Sequence, residues 1–104
     1  MYVLWDEPKR LINLSKHELD FADLQEGFDF ENAVAFEASV SGSGRVRIRL
    51  IGTLFGTLVV ALIVSPIGRE AISVVSLRKA SRKERTCLTL EKLRNKGLIG
   101  PRKT

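Results

Sequence analysis

One run of ten residues holds the densest group of side chains suited to chemistry in this 104-residue chain. The run Ser76-Leu-Arg-Lys-Ala-Ser-Arg-Lys-Glu-Arg85 sets Arg78, Lys79, Arg82, Lys83 and Arg85 around a single carboxylate, Glu84. Arg82 and Arg85 follow Arg78 at i+4 and i+7, so a helical continuation puts them on one face. Guanidiniums arranged in this way can clamp phosphates bidentately, and Lys79 and Lys83 add charge alongside. Arg45, Arg47 and Arg49 form a second group. They alternate with apolar residues and therefore project from one face of a strand. Like charges this close repel one another unless a polyanion or an acidic partner lies near. The alternative is a sheet face that simply meets solvent. His17 is the only histidine, with Lys16 beside it. Imidazole is the side chain that titrates near neutrality, so His17 suits a general acid or base, and capping the end of a helix is its competing role. One cysteine and one histidine at distant positions make no metal ligand set, and Gly42-x-Gly44 is a bare turn with no phosphate loop around it. No cofactor or metal is expected.

The elements that must position these groups are legible from local patterns. Tyr2 to Leu4 is a short apolar start suited to an edge strand. Asp6 and Pro8 open a helix running to about His17, with Leu11 and Leu14 as its buried stripe and Trp5 and Ile12 nearby. Asp20 caps a second short helix that carries Phe21 and Leu24 and ends at Gly27. Asn32 to Val40 reads as a strand with Val34 and Phe36 on one face. Ser41-Gly-Ser-Gly44 turns the chain into Arg45 to Ile51, whose alternation of charge and apolar side chains is the period of a half-exposed strand. Gly52 to Gly56 is read as the next turn, Leu58 to Val64 as a central strand, Pro66 to Gly68 as a turn and Ala71 to Leu77 as a fourth main strand. Ser81-Arg-Lys-Glu84 is a capping box, so a last helix starts there and runs to about Asn95. The expected fold class is α+β: two N-terminal helices, an antiparallel sheet of about four strands and a C-terminal helix. Residues 1–95 form one domain and 96–104 a flexible basic tail.

Composition is that of a single globular domain, with 44% hydrophobic and 28% charged residues. One cysteine cannot close a disulfide within the chain, which fits a reducing compartment. The start has no charged region followed by an apolar stretch, so a cytoplasmic location is expected. The net charge of +5 is unevenly spread: residues 1–43 carry −6, residues 44–75 carry +3 and residues 76–104 carry +8. That polarity suits a basic surface for a polyanion and an acidic region elsewhere. The competing role for residues 92–104 is a tail that is only solvated. From Leu50 to Gly68 no formal charge occurs, a length close to a membrane span. Gly52, Gly56 and Pro66 interrupt it, and its continuous apolar part is only Leu58 to Val64, rich in Val and Ile. A strand is expected there, and no membrane contact.

Two separated patterns resemble those of the BrnT family, small ribonuclease toxins of bacterial type II toxin–antitoxin modules. Family members read W-D-x-x-K-x-x-x-N-x-x-K-H-x-x-x-F early, carried here by Trp5, Asp6, Lys9, Asn13, Lys16, His17 and Phe21. They read S-A-R-x-A-x-x-x-E-R late, carried here by Ser76, Arg78, Ala80, Glu84 and Arg85. The resemblance covers roughly residues 3 to 85 and implies a compact RelE-like fold and metal-independent cleavage of RNA that blocks translation. That chemistry needs a 2′-hydroxyl activated against its own 3′-phosphate, a proton donor for the leaving 5′-oxygen and cations for the charged phosphorane. The resemblance aligns Arg47 and Arg78 with family arginines; with His17 and Lys16 they are the catalytic candidates, and the basic residues Arg45, Arg49, Lys79, Arg82, Lys83 and Arg85 are the candidates for RNA contacts. It also implies a cognate BrnA-like antitoxin with a ribbon-helix-helix portion, DNA being met only through the antitoxin complex. Val46 stands where many members carry Glu, Ser73 where many carry Arg, Leu77 in place of the motif alanine and Ser65-Pro66 in place of Tyr-Thr. These departures define the alternative, a catalytically weak or inactive member acting only as an antitoxin-binding component of a repressor complex.

Overall fold

The computed structural model describes residues 1–101, with the backbone alone described at Glu37 and Ala38. The chain runs β1 (Tyr2–Leu4), α1 (Glu7–His17), a 3-10 turn (Phe21–Asp23) leading into α2 (Leu24–Gly27), then β2 (Val34–Val40), β3 (Val46–Leu54), β4 (Leu58–Ile67), β5 (Ala71–Lys79) and α3 (Arg82–Asn95). The architecture is α+β. The sheet has five strands in the order β1-β5-β4-β3-β2, against the four expected. The fifth is β1, the edge strand expected at Tyr2 to Leu4, which pairs in parallel with Ala71–Ser73 and not antiparallel.

The apolar run of β4 is buried on both faces, which is why it shows no alternation. Val60, Leu62 and Val64 join Phe21, Leu24, Phe28, Leu54, Ile72, Val74 and Leu77 in the larger core. Val59 and Ala61 turn the other way, onto a smaller cluster with Ile51, Ala80 and Leu88 of α3. Burial between two layers accounts for the span-like hydropathy of residues 50–68. Among the described residues no helix is long and apolar enough to cross a membrane.

Three boundaries differ from expectation, each for a local reason. Gly52 lies inside β3 and not in a turn. A Cβ there would sit 2.8 Å from the Phe28 ring, so the bare backbone leaves room for that ring. The turn is the pair Phe55-Gly56, with φ of 51° and 74°, the two positive values a tight hairpin of this twist requires. β4 continues through Pro66, because pairing with β3 stops at Val64 and the missing N–H of the proline falls outside that ladder. The last helix agrees with its signal: the Ser81 hydroxyl accepts from the Glu84 N–H, and the Glu84 side chain accepts from the Ser81 N–H.

The first helix is the clearest departure. Leu11, Ile12 and Leu14 are exposed, and the buried residue of α1 is Asn13. β1 covers only Ala71–Ser73, leaving the rest of that edge of β5 without a strand. Asn13 takes the strand's place. Its Nδ2 donates to the carbonyls of Leu77 (2.8 Å) and Leu19 (3.1 Å), and its Oδ1 accepts from the Leu77 N–H at 3.0 Å. Substituting Asn13→Leu is expected to cost about 2 kcal/mol, since apolar volume is kept while the Leu77 backbone loses its partner. A urea midpoint equal to that of the parent chain would show that water replaces the amide without loss.

The first residues of the segment expected as a tail carry the closing bonds of α3. Gly97 at φ 73° and the Leu98 N–H to Leu93 carbonyl bond (2.9 Å) close the end of α3. Arg102, Lys103 and Thr104 lie outside the described residues.

Candidate functional site

Strand alternation puts Arg49 and Ile51 of β3 on the face opposite Ile48 and Leu50. Ile51 pairs with Ala61 and Ala61 with Arg78, so Arg78 shares that face. The chain then leaves β5, turns at Ala80 and starts α3 above the same surface. Its third helical residue is Glu84, the position that a capping box reserves for an acid.

Glu84 is therefore both a cap and a clasp. Its Oε1 accepts from Arg78 Nη1 at 2.7 Å and from the Ser81 N–H at 2.8 Å. Its Oε2 accepts from Arg78 Nη2 and from Arg49 Nη1, both at 2.9 Å. The Glu84 side chain is 7% exposed, against 27% for Arg49 and 33% for Arg78. The Arg78 guanidinium, and after it the Ser81 N–H, outweigh burial and hold the Glu84 carboxyl down at about 2. The same pairing raises the Arg78 pKa. A carboxylate held so low stays ionised at neutral pH and is a poor proton acceptor. Its chemistry is to aim two guanidiniums. Phe36, Arg49, Ser81, Lys83, Glu84 and Cys87 line a cleft of about 340 Å³ at this point.

The sequence candidates divide around this cluster. Arg49 and Arg78 are brought together, and Lys83 lines the same cleft. Arg47 is exposed on the Arg49 face of β3, about 7 Å farther along, and Arg45 lies just before the strand. Lys79 ends β5, exposed. Arg82 and Arg85 are exposed on α3, Arg85 donating to the Ala80 carbonyl at 3.0 Å. Lys16 and His17 lie in a different groove, of about 210 Å³, with Lys9, Ile12, Asn13, Val75 and Ser76. Ser76 and Arg78 are two residues apart on a regular stretch of β5, so that groove shares with the cluster only the strand face that carries Ser76.

Glu84 and Cys87 were not among the sequence candidates for the site. The available signal for Glu84 was its isolation as the one acid among five cations, at a helix position that buries it. Cys87 follows it by one helical turn and carried no signal of its own. Among the described residues, no group of three or more His, Cys, Asp or Glu could hold a metal ion.

Comparison with known proteins agrees with the two sequence patterns. The model of the family described as the ribonuclease toxin, BrnT, of type II toxin–antitoxin systems matches residues 5–84. Among solved structures, the crystal structure of the Brucella abortus ribonuclease toxin BrnT is similar, with 42% identity and a TM-score of 0.63. That alignment covers 79% of this chain and 99% of the Brucella chain. No match was found among curated proteins.

Proposed function

We propose, from the premise that this chain belongs to the BrnT family of ribonuclease toxins of type II toxin–antitoxin systems, that it cuts RNA at the cleft where Glu84 holds Arg49 and Arg78. The observation that carries this reading is the clasp itself. Two guanidiniums fixed by one buried carboxylate, beside an open cleft, form a preorganised positive site of the kind that stabilises a phosphorane. In the proposed reaction the 2′-oxygen forms a bond to the adjacent phosphorus and the bond to the 5′-oxygen breaks. One proton leaves the 2′-hydroxyl and another reaches the 5′-oxygen. Arg49 and Arg78 meet the phosphate, Arg47 and Arg45 hold the strand farther along β3, and Lys79, Arg82, Lys83 and Arg85 add contacts at the start of α3. Lys16 and His17, in the groove that Ser76 helps to line, are the proton-transfer candidates. The fold is read as RelE-like and the location as cytoplasmic.

Membership of a toxin–antitoxin family implies an antitoxin partner. The finer reading is a BrnA-like antitoxin whose ribbon-helix-helix portion meets DNA and whose toxin-binding segment brings carboxylates to the arginine face. Such binding is tight, weakened by salt and competitive with RNA. A second reading is favoured by one observation: Arg49 and Arg78 already bond to a carboxylate, and Val46 supplies no second acid beside Arg47. On that reading the chain binds antitoxin without turnover.

Incubating the purified chain with RNA in EDTA tests the proposal. Cleavage is expected at the same rate as in magnesium, because every group in the scheme is a side chain. Loss of cleavage in EDTA would overturn metal independence. Intact RNA under both conditions, with antitoxin binding retained, would establish the second reading.

A further inference from the structure

The net charge of the chain lies outside the span that matches the family. Residues 5–84 contain eleven Lys or Arg and eleven Asp or Glu, and so are neutral overall. Beyond them Arg85, Lys92, Arg94, Lys96, Arg102 and Lys103 are set against Glu91 alone, which gives +5, the charge of the whole chain.

This basic extension begins as folded helix. α3 runs to Asn95, and its end is closed by the Gly97 N–H to Arg94 carbonyl bond at 3.0 Å and the Leu98 N–H to Leu93 carbonyl bond at 2.9 Å. With about 100° between successive residues, Arg82, Arg85, Lys92 and Lys96 fall within an arc of about 80°. All four are exposed. The acids of α3 lie elsewhere: Glu84 is buried in the clasp, and Glu91 accepts from Arg94 at 2.6 Å. The helix thus presents a stripe of cations about 20 Å long, at a rise of about 1.5 Å per residue. Arg82 and Arg85 line a shallow groove with Thr86, Thr89 and Leu90, and Lys92 and Lys96 line another with Asn32 and Asn95. Neither groove shares a lining residue with the cleft at Glu84. Asp29 is close enough to Lys92 for the ammonium to help lower its pKa, but the bonds from Asn32 are the larger cause.

Cations spaced along one exposed helix face, away from the acids of that helix, match a chain of phosphates better than any single anion. We propose that the extension of α3 is a second RNA-binding surface, gripping through Arg85, Lys92 and Lys96 the substrate strand outside the cleft. The inference rests on the ribonuclease reading and deepens it: the chain discriminates by RNA length, favouring strands long enough to reach both surfaces.

The test measures binding of the full chain and of the R85Q/K92Q/K96Q variant across a potassium chloride series. The probe is a labelled 2′-O-methyl oligouridylate of about 20 nucleotides, which cannot be cleaved. Each lost phosphate contact lowers the salt slope of log K by about 0.7 for single strands, so the triple variant is expected to lose about 2 in slope. K92Q/K96Q, which keeps the Arg85 bond to Ala80, is expected to lose about 1.4. A probe of about 6 nucleotides, too short to reach Lys92 and Lys96 from the cleft, is expected to bind K92Q/K96Q and the parent chain alike. Tight binding of the long probe with an unchanged slope in both variants overturns the extension surface and leaves the ribonuclease reading standing. Failure of the parent chain to bind the long probe at low salt overturns both. If the variants lose antitoxin affinity while RNA binding holds, the stripe serves the protein partner and the inference fails.

Discussion

Replacing Glu84 by glutamine is expected to destabilise the fold by about 3 kcal/mol at neutral pH, because it leaves two partly buried guanidiniums without their counter-charge. Removal of one member of a buried pair costs about 3–5 kcal/mol, and the lower end applies here because Arg49 and Arg78 keep 27% and 33% exposure. The same substitution removes the acid sensitivity that Glu84 brings. Its carboxyl is lowered from 4.5 to about 2 on folding, so the native state releases this proton more readily than the unfolded chain. The stabilisation is complete above pH 4.5 and is lost as pH falls from there through about 2. At about 1.4 kcal/mol per unit, the loss across that window is about 3 kcal/mol. Urea melts near neutrality and at about pH 3 check both statements. The parent chain should weaken steeply on acidification and the Gln variant much less. Equal stability of the two proteins at neutrality would mean that Arg49 and Arg78 reach water as easily as they reach Glu84.

Arg78→Ala is expected to slow RNA cleavage by about 100- to 1,000-fold, the usual cost of removing one preorganised donor from a developing negative charge. The loss should fall on the chemical step, measured in single turnover, more than on affinity, since the other cations still attract the strand. Arg78→Lys should recover only part of the rate. A lysine keeps the charge but cannot make the paired bonds at 2.7 and 2.9 Å that fix the guanidinium on Glu84. Arg69→Ala, in the exposed turn between β4 and β5, is the comparison for a general loss of positive charge. If Arg69→Ala and Arg78→Ala slow cleavage equally, Arg78 contributes field and not position, and the clasp is not the reacting site.

What the sequence made legible follows the range over which each signal acts. The period of two in Arg45 to Ile51 and the Ser81–Glu84 capping box are set by neighbours within a few residues, and both appear where expected. Gly52 was misread because a glycine inside a strand and a glycine in a turn look alike without the Phe28 ring, 24 positions away, that needs the space. Leu11 and Leu14 were expected inside because apolar spacing predicts burial. It is silent about a strand edge that requires hydrogen bonds, and Asn13 supplies those. The clasp was half visible. Arg78 and Arg49 were candidates, but their meeting at Glu84 depends on the order of strands, which no local pattern encodes.

The parallel pairing of β1 with β5 also sets a timetable for the molecule's own making. Tyr2 waits for Ala71 to be synthesised before it has a partner, a delay of about 3–14 s at about 5–20 residues per second. Asn13 waits for Leu77, 64 positions on, and Arg49 waits for Glu84, 35 positions on. Every contact that builds the clasp is thus deferred until Glu84 has been made, and pairings this distant in sequence also close slowly. A half-made chain exposes its arginine strand but has no carboxylate to aim it. The ribosome making this protein is therefore never joined to a finished cleft before Glu84 has emerged from it.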